Sequence, residues 1–153
     1  MKLLLDANIL TRLCHPHKDV NFAANEWLEQ LLGLSSYTVI VPEIADYEVR
    51  RGLMHVALKS GQPTTRSLLR LDLLTEKLEY LPLNTATMRR AAGLWAESRL
   101  AGQPTADDAA LDGDVLLAAQ ALEVSGIVVT ENIRHLSRFV ESRRWQDVES
   151  DAQ

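Results

Sequence analysis

The chain has 153 residues, of which 46% are hydrophobic and 24% are charged, and its formal net charge at pH 7 is -5. These proportions are typical of a soluble globular protein with one domain of ordinary size. The negative charge argues against a protein that holds nucleic acid mainly by bulk positive charge, but not against an enzyme with a local basic patch. The single cysteine, Cys14, excludes an internal disulfide and fits a reducing cytoplasm. No segment approaches the ~20 apolar residues of a membrane span.

Predicted strands alternate with predicted helices along the chain. Short runs rich in leucine or β-branched residues predict five strands, of which the last has the weakest pattern: 3–5, 37–41, 78–83, 126–130 and 145–148. Apolar residues recur at helical spacing in the segments between them: 20–31, 45–56, 68–74, 84–95 and 115–122. Residues 102–111 read as a long loop, and about 146–153 as a polar C-terminal tail.

Single residues mark where several of these helices begin or end. Gly33 is suited to end the first of them. Pro42 suits the first position of the helix after the second strand, and Asn84 can cap a helix that buries Met88. The alternation is typical of βαβ units, so the sequence predicts the α/β class with a parallel sheet of four to five strands in a single domain.

Acidic and polar residues follow the predicted strands. In open parallel sheets, ligands bind beyond the carboxyl ends of the strands. Asp6 lies at such an end, and so do residues 130–132 after the fourth strand. Glu48 lies near the start of the helix after strand two, and Asp112 and Asp114 fall at the predicted N-terminus of the helix before strand four. We expect these acids to face one cleft.

A cluster of carboxylates resists its own charge, since two of them ~4 Å apart repel by about 4 kcal/mol at an effective dielectric near 20. Shared protons, basic neighbours or a hard cation can offset that repulsion. Aspartate, glutamate and asparagine oxygens suit Mg²⁺ or Mn²⁺ better than zinc. Such a cation can lower the pKa of a water molecule and stabilise a phosphate under attack.

Each of these residues also has an ordinary structural role open to it. Asp6 and Asn132 can simply cap helices. Asp112 and Asp114 can favour a helix dipole, and Glu48 can be a solvated charge. Taken one residue at a time, neither interpretation is excluded.

Four segments in order, LLLDANIL, PEIADYEVRRGL, LDGDVLLAAQALEVSG and IVVTENIRHLSRF, resemble the PIN domain. The nearest likeness is to the VapC-like toxin ribonucleases of bacterial toxin–antitoxin pairs, and it spans Lys2 to about Trp145. The resemblance implies a three-layer α/β/α sandwich with a central parallel sheet and an acidic Mg²⁺ or Mn²⁺ site. It also implies an endoribonuclease that forms a homodimer and is neutralised by a small antitoxin.

The resemblance assigns roles to individual residues. Asp6, Glu48 and Asp114 match the three acids that hold the metal, and Asn8 matches a small polar residue that supports Asp6. The fourth position is aspartate in many members but Asn132 here. A further acid is replaced by His135, and Asp112 is an additional carboxylate.

The predicted reaction is metal-dependent hydrolysis of an RNA phosphodiester, without a side-chain nucleophile. Asn132 and Asp112 are expected to orient water or the ion, with Asn8 and Thr130 near the substrate. Arginines that follow the site elements are candidates for phosphate contacts: Arg50, Arg51, Arg134, Arg138, Arg143 and Arg144. The leucine-rich segment 52–75 is a candidate dimer face, with core packing as the alternative.

Two rival interpretations remain open. A phosphatase with an aspartyl nucleophile at Asp6 usually needs a second acid two residues later, where this chain has Asn8. A catalytically weak or degenerate PIN-like module that binds RNA or protein is favoured by Asn132 and His135 in place of acids. EDTA-sensitive cleavage of RNA separates the nuclease from both.

Overall fold

The computed structural model describes residues 1–15, 19–102 and 108–148. In these ranges five parallel strands form one sheet: β1 (Lys2–Leu5), β2 (Thr38–Pro42), β3 (Glu79–Leu81), β4 (Ile127–Val129) and β5 (Ser142–Arg143). The strand order is β3-β2-β1-β4-β5, so β1 lies at the centre. Leu3, Leu4 and Leu5 are each 0% exposed. Both faces of β1 are therefore covered, which explains its uninterrupted apolar run.

Helices cover both faces of the sheet. Those in the described ranges are α1 (Ala7–Cys14), α2 (Asp19–Leu32), α3 (Glu43–Lys59), α4 (Arg66–Lys77), α5 (Thr85–Leu100), α6 (Asp108–Val124) and α7 (Ile133–Leu136). Successive strand residues point to opposite faces, so Leu3 and Leu5 pack with α1, α2 and α4, whereas Leu4 packs with α6. The outer helix α5 packs on α6 through Ala91. The predicted three-layer α/β/α sandwich is confirmed.

Local capping sets several helix boundaries. Asn84 Oδ1 accepts a hydrogen bond from the Thr87 amide at 2.9 Å, as predicted for the start of α5. Gly33 directly follows the last residue of α2, also as predicted. Pro42 differs from its prediction, because it is the last residue of β2 and the N-cap of α3 rather than a helical residue.

The C-terminal predictions need correction. The predicted strand at 145–148 is wrong, because β5 lies at Ser142–Arg143 and Trp145–Asp147 form a short 3-10 helix. Trp145 packs against Trp27, with ring centroids 6.1 Å apart. The buried Val148 accepts a hydrogen bond from Trp27 Nε1 through its carbonyl. A polar tail therefore does not begin at residue 146, and residues 149–153 lie outside the described ranges.

The outer helices also differ from their predictions. Met88 is 48% exposed, because α5 contacts α6 through the smaller Ala91. Helix α6 begins at Asp108, which shortens the predicted loop at 102–111, and residues 103–107 lie outside the described ranges. Asp112 and Asp114 therefore lie inside the helix and not at its N-terminus. Among the described residues, no helix combines the length and apolar character needed to cross a membrane.

Candidate active site

Asp6 lies where the central strand ends and α1 begins. Its backbone amide donates to the Val129 carbonyl at 3.0 Å, which extends the β1–β4 pairing to the edge of the sheet. One carboxylate oxygen accepts from the Ala7 amide at 2.7 Å, and the other accepts from the Thr130 hydroxyl at 2.6 Å. Burial raises the pKa of Asp6 despite these hydrogen bonds. Asp6 is thus both the N-cap of α1 and a half-buried carboxylate at the edge of the sheet.

Thr130 and Asn8 hold Asp6 in place. The Thr130 hydroxyl donates to Asp6 and accepts from the Asn132 amide at 2.9 Å. Asn8 Oδ1 accepts from the Glu131 amide at 3.3 Å. Thr130 is 0% exposed, so its side chain is not open to the substrate contact predicted for it. Its hydroxyl instead positions Asp6. These bonds fix the ends of β1 and β4 relative to each other.

Glu48 reaches the same edge from the second turn of α3. A Cβ atom on Gly113 of α6 would lie 2.6 Å from Glu48 Oε1, so a larger residue at this position would displace the carboxylate from where it lies. Burial raises the pKa of Glu48, and the negative charges of Asp6 and Asp114 raise it further, while Arg51 lowers it. Gly113 was missed by sequence reasoning, because its close approach to Glu48 exists only in the folded chain.

Asp114 completes the set from α6. Its Oδ2 lies 3.5 Å from His135 Nδ1, and its side chain is 22% exposed. Burial raises the pKa of Asp114 and the charge of Asp6 adds to this, whereas His135 and Arg138 lower it.

The buried Gln120 of α6 donates to the Leu81 carbonyl at 2.7 Å and accepts from the Ile44 amide at 3.3 Å. Gln120 thereby ties α6 to the start of α3.

The three carboxylates line one cleft of about 480 Å³, together with a cationic residue and several small or polar ones. Its lining is Asp6, Ala7, Asn8, Glu48, Arg51, Ala110, Gly113, Asp114, Asn132 and His135. Oxygen ligands of this kind suit a hard divalent cation, whose charge would relieve their mutual repulsion. In the part of the chain that the structure describes, no three acidic, histidine or cysteine side chains are gathered as a ready-made metal site. Mg²⁺ usually keeps several water molecules in proteins, so it can contact such carboxylates through water as well as directly.

Several predicted site residues do not line this cleft. Asp112 lines a separate groove of about 400 Å³ between α5 and α6, called here the α5–α6 groove. It points away from Asp114 because residues two apart on a helix point in nearly opposite directions. The groove is lined by Met88, Ala91, Ala92, Trp95, Asp112, Val115 and Leu116. Arg50 pairs with Asp46 at 3.0 Å and with Asp72 at 2.7 Å. Arg134 is exposed on α7 and does not line the cleft.

Arg12 is a residue near the site that sequence reasoning missed. Its guanidinium pairs with Glu131 at 2.6 Å, and this contact anchors the segment after β4 to α1. Glu131 therefore points to Arg12, although it follows the strand as Asp6 does. No local signal in the sequence marks this pair, whose members are 119 positions apart.

A family comparison matches the sequence pattern of the PIN domain to residues 3–141. The chain belongs to the PIN domain family. This confirms the family that its four sequence segments resemble. The sequence matches no curated protein.

Solved structures share the fold of this PIN domain. VapBC2 from Rickettsia felis, solved bound to a promoter DNA fragment, has 20% identity and a TM-score of 0.69, covering 95% of this chain and 99% of that one. VapBC from Salmonella typhimurium has 22% identity and a TM-score of 0.69, covering 95% and 98%. FitAcB from Neisseria gonorrhoeae has 18% identity and a TM-score of 0.67, covering 95% and 99%.

Two positions of this PIN domain depart from an all-acidic site. Asn132 is exposed and lines the cleft, with its amide held by Thr130. His135 lines the cleft as well and faces Asp114. The cleft therefore carries an amide and an imidazole beside its three carboxylates.

Proposed function

We propose that this PIN domain is an endoribonuclease that hydrolyses RNA phosphodiester bonds with Mg²⁺ or Mn²⁺ as its cofactor. One observation carries the proposal: Asp6, Glu48 and Asp114 come from three separate elements, line one cleft and all have a raised pKa. Perturbed carboxylates in a cleft are characteristic of functional sites. Membership of the PIN domain family supports the same conclusion.

The residues of the cleft divide the work. Asp6, Glu48 and Asp114 hold the cation, directly or through water, and Thr130 and Asn8 keep Asp6 oriented. Arg51 contacts a backbone phosphate of the substrate, and Asn132 orients water or substrate in the cleft. When bound, the cation supplies Lewis-acid stabilisation of the phosphate and a more acidic water molecule. Asp112, Arg50 and Arg134 have no role in this scheme, because they are not among the residues that line the cleft.

The proposal extends to a biological setting, the toxin of a toxin–antitoxin pair in the cytoplasm. The VapBC and FitAcB assemblies whose chains share this fold support a small antitoxin as partner. A homodimer is supported by exposed apolar residues in the leucine-rich segment, where Met54 is 50%, Leu58 77% and Leu69 58% exposed. Light scattering of the 17.1 kDa chain should then give about twice that mass, and a monomer at high concentration would remove the dimer from the proposal.

A second candidate function is a degenerate module that binds RNA or protein without cleaving it. The observation in its favour is the replacement of two expected acids by Asn132 and His135, of which His135 pairs with Asp114. Binding of RNA without cleavage in Mn²⁺ would select this alternative.

Cleavage of a labelled single-stranded RNA separates the two functions. The wild-type protein should cut the RNA in Mn²⁺ or Mg²⁺, and EDTA should stop the reaction. Asp6→Asn should lower the rate by roughly a hundredfold or more, because it removes a ligand charge while keeping the shape of the side chain. Full activity of a folded Asp6→Asn protein contradicts the proposed site.

A further inference from the structure

An exposed tyrosine stands directly before the glutamate of the cleft. Tyr47 is 56% exposed on α3, although tyrosine usually buries much of its ring. The Arg51 guanidinium lies over this ring, 5.2 Å from its centroid. Tyr47 and Arg51 are one turn apart, the spacing at which helix side chains meet. The ring is therefore held by a neighbour while more than half of the residue still faces solvent.

Arg51 connects this ring to the acidic cleft. It lines the cleft together with Asp6, Glu48 and Asp114. Arg51 thus holds its guanidinium over an aromatic ring and also lines the proposed reaction site. The ring therefore contacts a residue that itself lines the cleft.

The chemistry of this pair fits one nucleotide of a single strand. An arginine attracts a backbone phosphate, and an exposed aromatic ring offers a face on which a base can stack. Stacking is tolerant of sequence because every base has a π-face. It is also an attraction that the negative charge of the cleft does not oppose. We propose that Tyr47, braced by Arg51, is a stacking platform that binds a nucleobase of the RNA beside the phosphate that is cut.

A protein partner is the competing occupant of this surface. Met54 and Leu58 are exposed further along α3, and they supply the apolar area expected of a protein interface. They lie seven or more residues beyond Tyr47, about 10 Å or more along the helix axis. The contact with an arginine of the cleft distinguishes Tyr47 from them and favours the nucleobase.

The inference rests on the proposed nuclease function, and its test uses the full chain with a short fluorescein-labelled single-stranded RNA of mixed sequence. Tyr47→Ala should raise KM roughly tenfold with little change in kcat, since stacking contributes to binding the strand. Tyr47→Phe keeps the ring and should behave as wild type. Phe22→Ala is the matched control, because Phe22 is 59% exposed on α2 and does not line the cleft.

An abasic substrate identifies the group that stacks. After the cleaved bond is mapped, RNA lacking a base on either side of it is tested with both proteins. One of the two abasic positions should raise KM of the wild-type protein about as much as Tyr47→Ala does. The same abasic position should add almost nothing to the Tyr47→Ala variant, as expected for two halves of one contact.

Binding measured by fluorescence anisotropy separates this inference from the nuclease proposal. If wild-type protein binds the RNA without cutting it and Tyr47→Ala weakens that binding tenfold, the platform stands and the nuclease proposal fails. If Tyr47→Ala cuts RNA with an unchanged KM, the platform is refuted and the nuclease stands. A change of oligomeric state in Tyr47→Ala by light scattering assigns the ring to a protein interface and overturns the inference.

Discussion

The two sides of α6 carry the same residue type in opposite surroundings. Asp114 faces the acidic cleft, where Asp6 and Glu48 approach it and burial raises its pKa. Asp112, two positions earlier, borders the apolar α5–α6 groove beside Trp95. Both aspartates lie inside α6, which begins at Asp108, and the way this helix is turned toward its neighbours decides which of them joins the cleft. The direction in which an aspartate points from the helix, and not its residue type alone, therefore decides whether it can join the cleft.

The largest expected effect separates these two aspartates. Asp114→Asn should reduce RNA cleavage by roughly a hundredfold or more, because the cleft would lose one of the three carboxylates proposed to hold the cation. Asp112→Asn should change the rate by no more than about twofold. Its exposed side chain lines the α5–α6 groove, which none of the three cleft carboxylates lines. Initial rates of cleavage in Mn²⁺ provide the measurement. Equal losses in the two variants would place both residues in the site and break the comparison.

A smaller effect is expected at the glycine between them. Gly113→Ala would put a methyl group 2.6 Å from Glu48 Oε1 and push this carboxylate away, so cleavage should fall roughly tenfold. Gly93→Ala on α5 is the matched control, because its Cβ would meet nothing within 4 Å. That control should keep full activity and gain about 0.5–1 kcal/mol in free energy of unfolding from helix propensity. Unimpaired cleavage by Gly113→Ala would show that Glu48 is not needed at its observed position.

The smallest expected effect is on stability. Burial raises the pKa of Asp6, Glu48 and Asp114 in the folded protein, so the folded state binds more protons than the unfolded state between the unfolded and folded values. Without metal, the free energy of unfolding should therefore decrease as pH rises from about 4 through the raised values. Asp114→Asn should raise the metal-free Tm at pH 7 by a few degrees.

Thermal unfolding across pH checks this sign. Asp112→Asn should leave the Tm nearly unchanged, and added Mn²⁺ should stabilise the wild-type protein more than Asp114→Asn. A metal-free protein whose Tm increases steadily from pH 5 to pH 8 would contradict the direction of these shifts.

Local patterns predicted the centre of the fold better than its margins. The leucine run and the polar residues that follow it predict a strand that ends just before Asp6. The structure has both the strand β1 and Asp6 at its end. The strand β5 was not predicted, because Ser142 and Arg143 have no strand-like composition and are recognisable only by their backbone pairing with β4. Neither the strand predicted at 145–148 nor the polar tail accounts for the buried Val148, because its place in the fold depends on Trp27, far away in sequence.

The residues of the site could be predicted where they lie in or next to predicted strands and helices. Glu48 and Asp114 were expected to meet Asp6, and the structure brings them to one cleft. Asp112 was misplaced because the predicted helix began too late, which left its direction undetermined. Gly113 and the Arg12–Glu131 pair could not be found, since their importance arises only from contacts between distant segments.

The central claim is that Asp6, Glu48 and Asp114 together hold a divalent cation. Anomalous diffraction from crystals soaked in Mn²⁺ tests it most directly, because the ion itself is located without reference to activity. The account predicts one or more Mn²⁺ peaks between these three carboxylates in the wild-type protein, and their loss in Asp114→Asn but not in Asp112→Asn. An empty cleft in well-soaked wild-type crystals, or an ion bound only elsewhere, would contradict it.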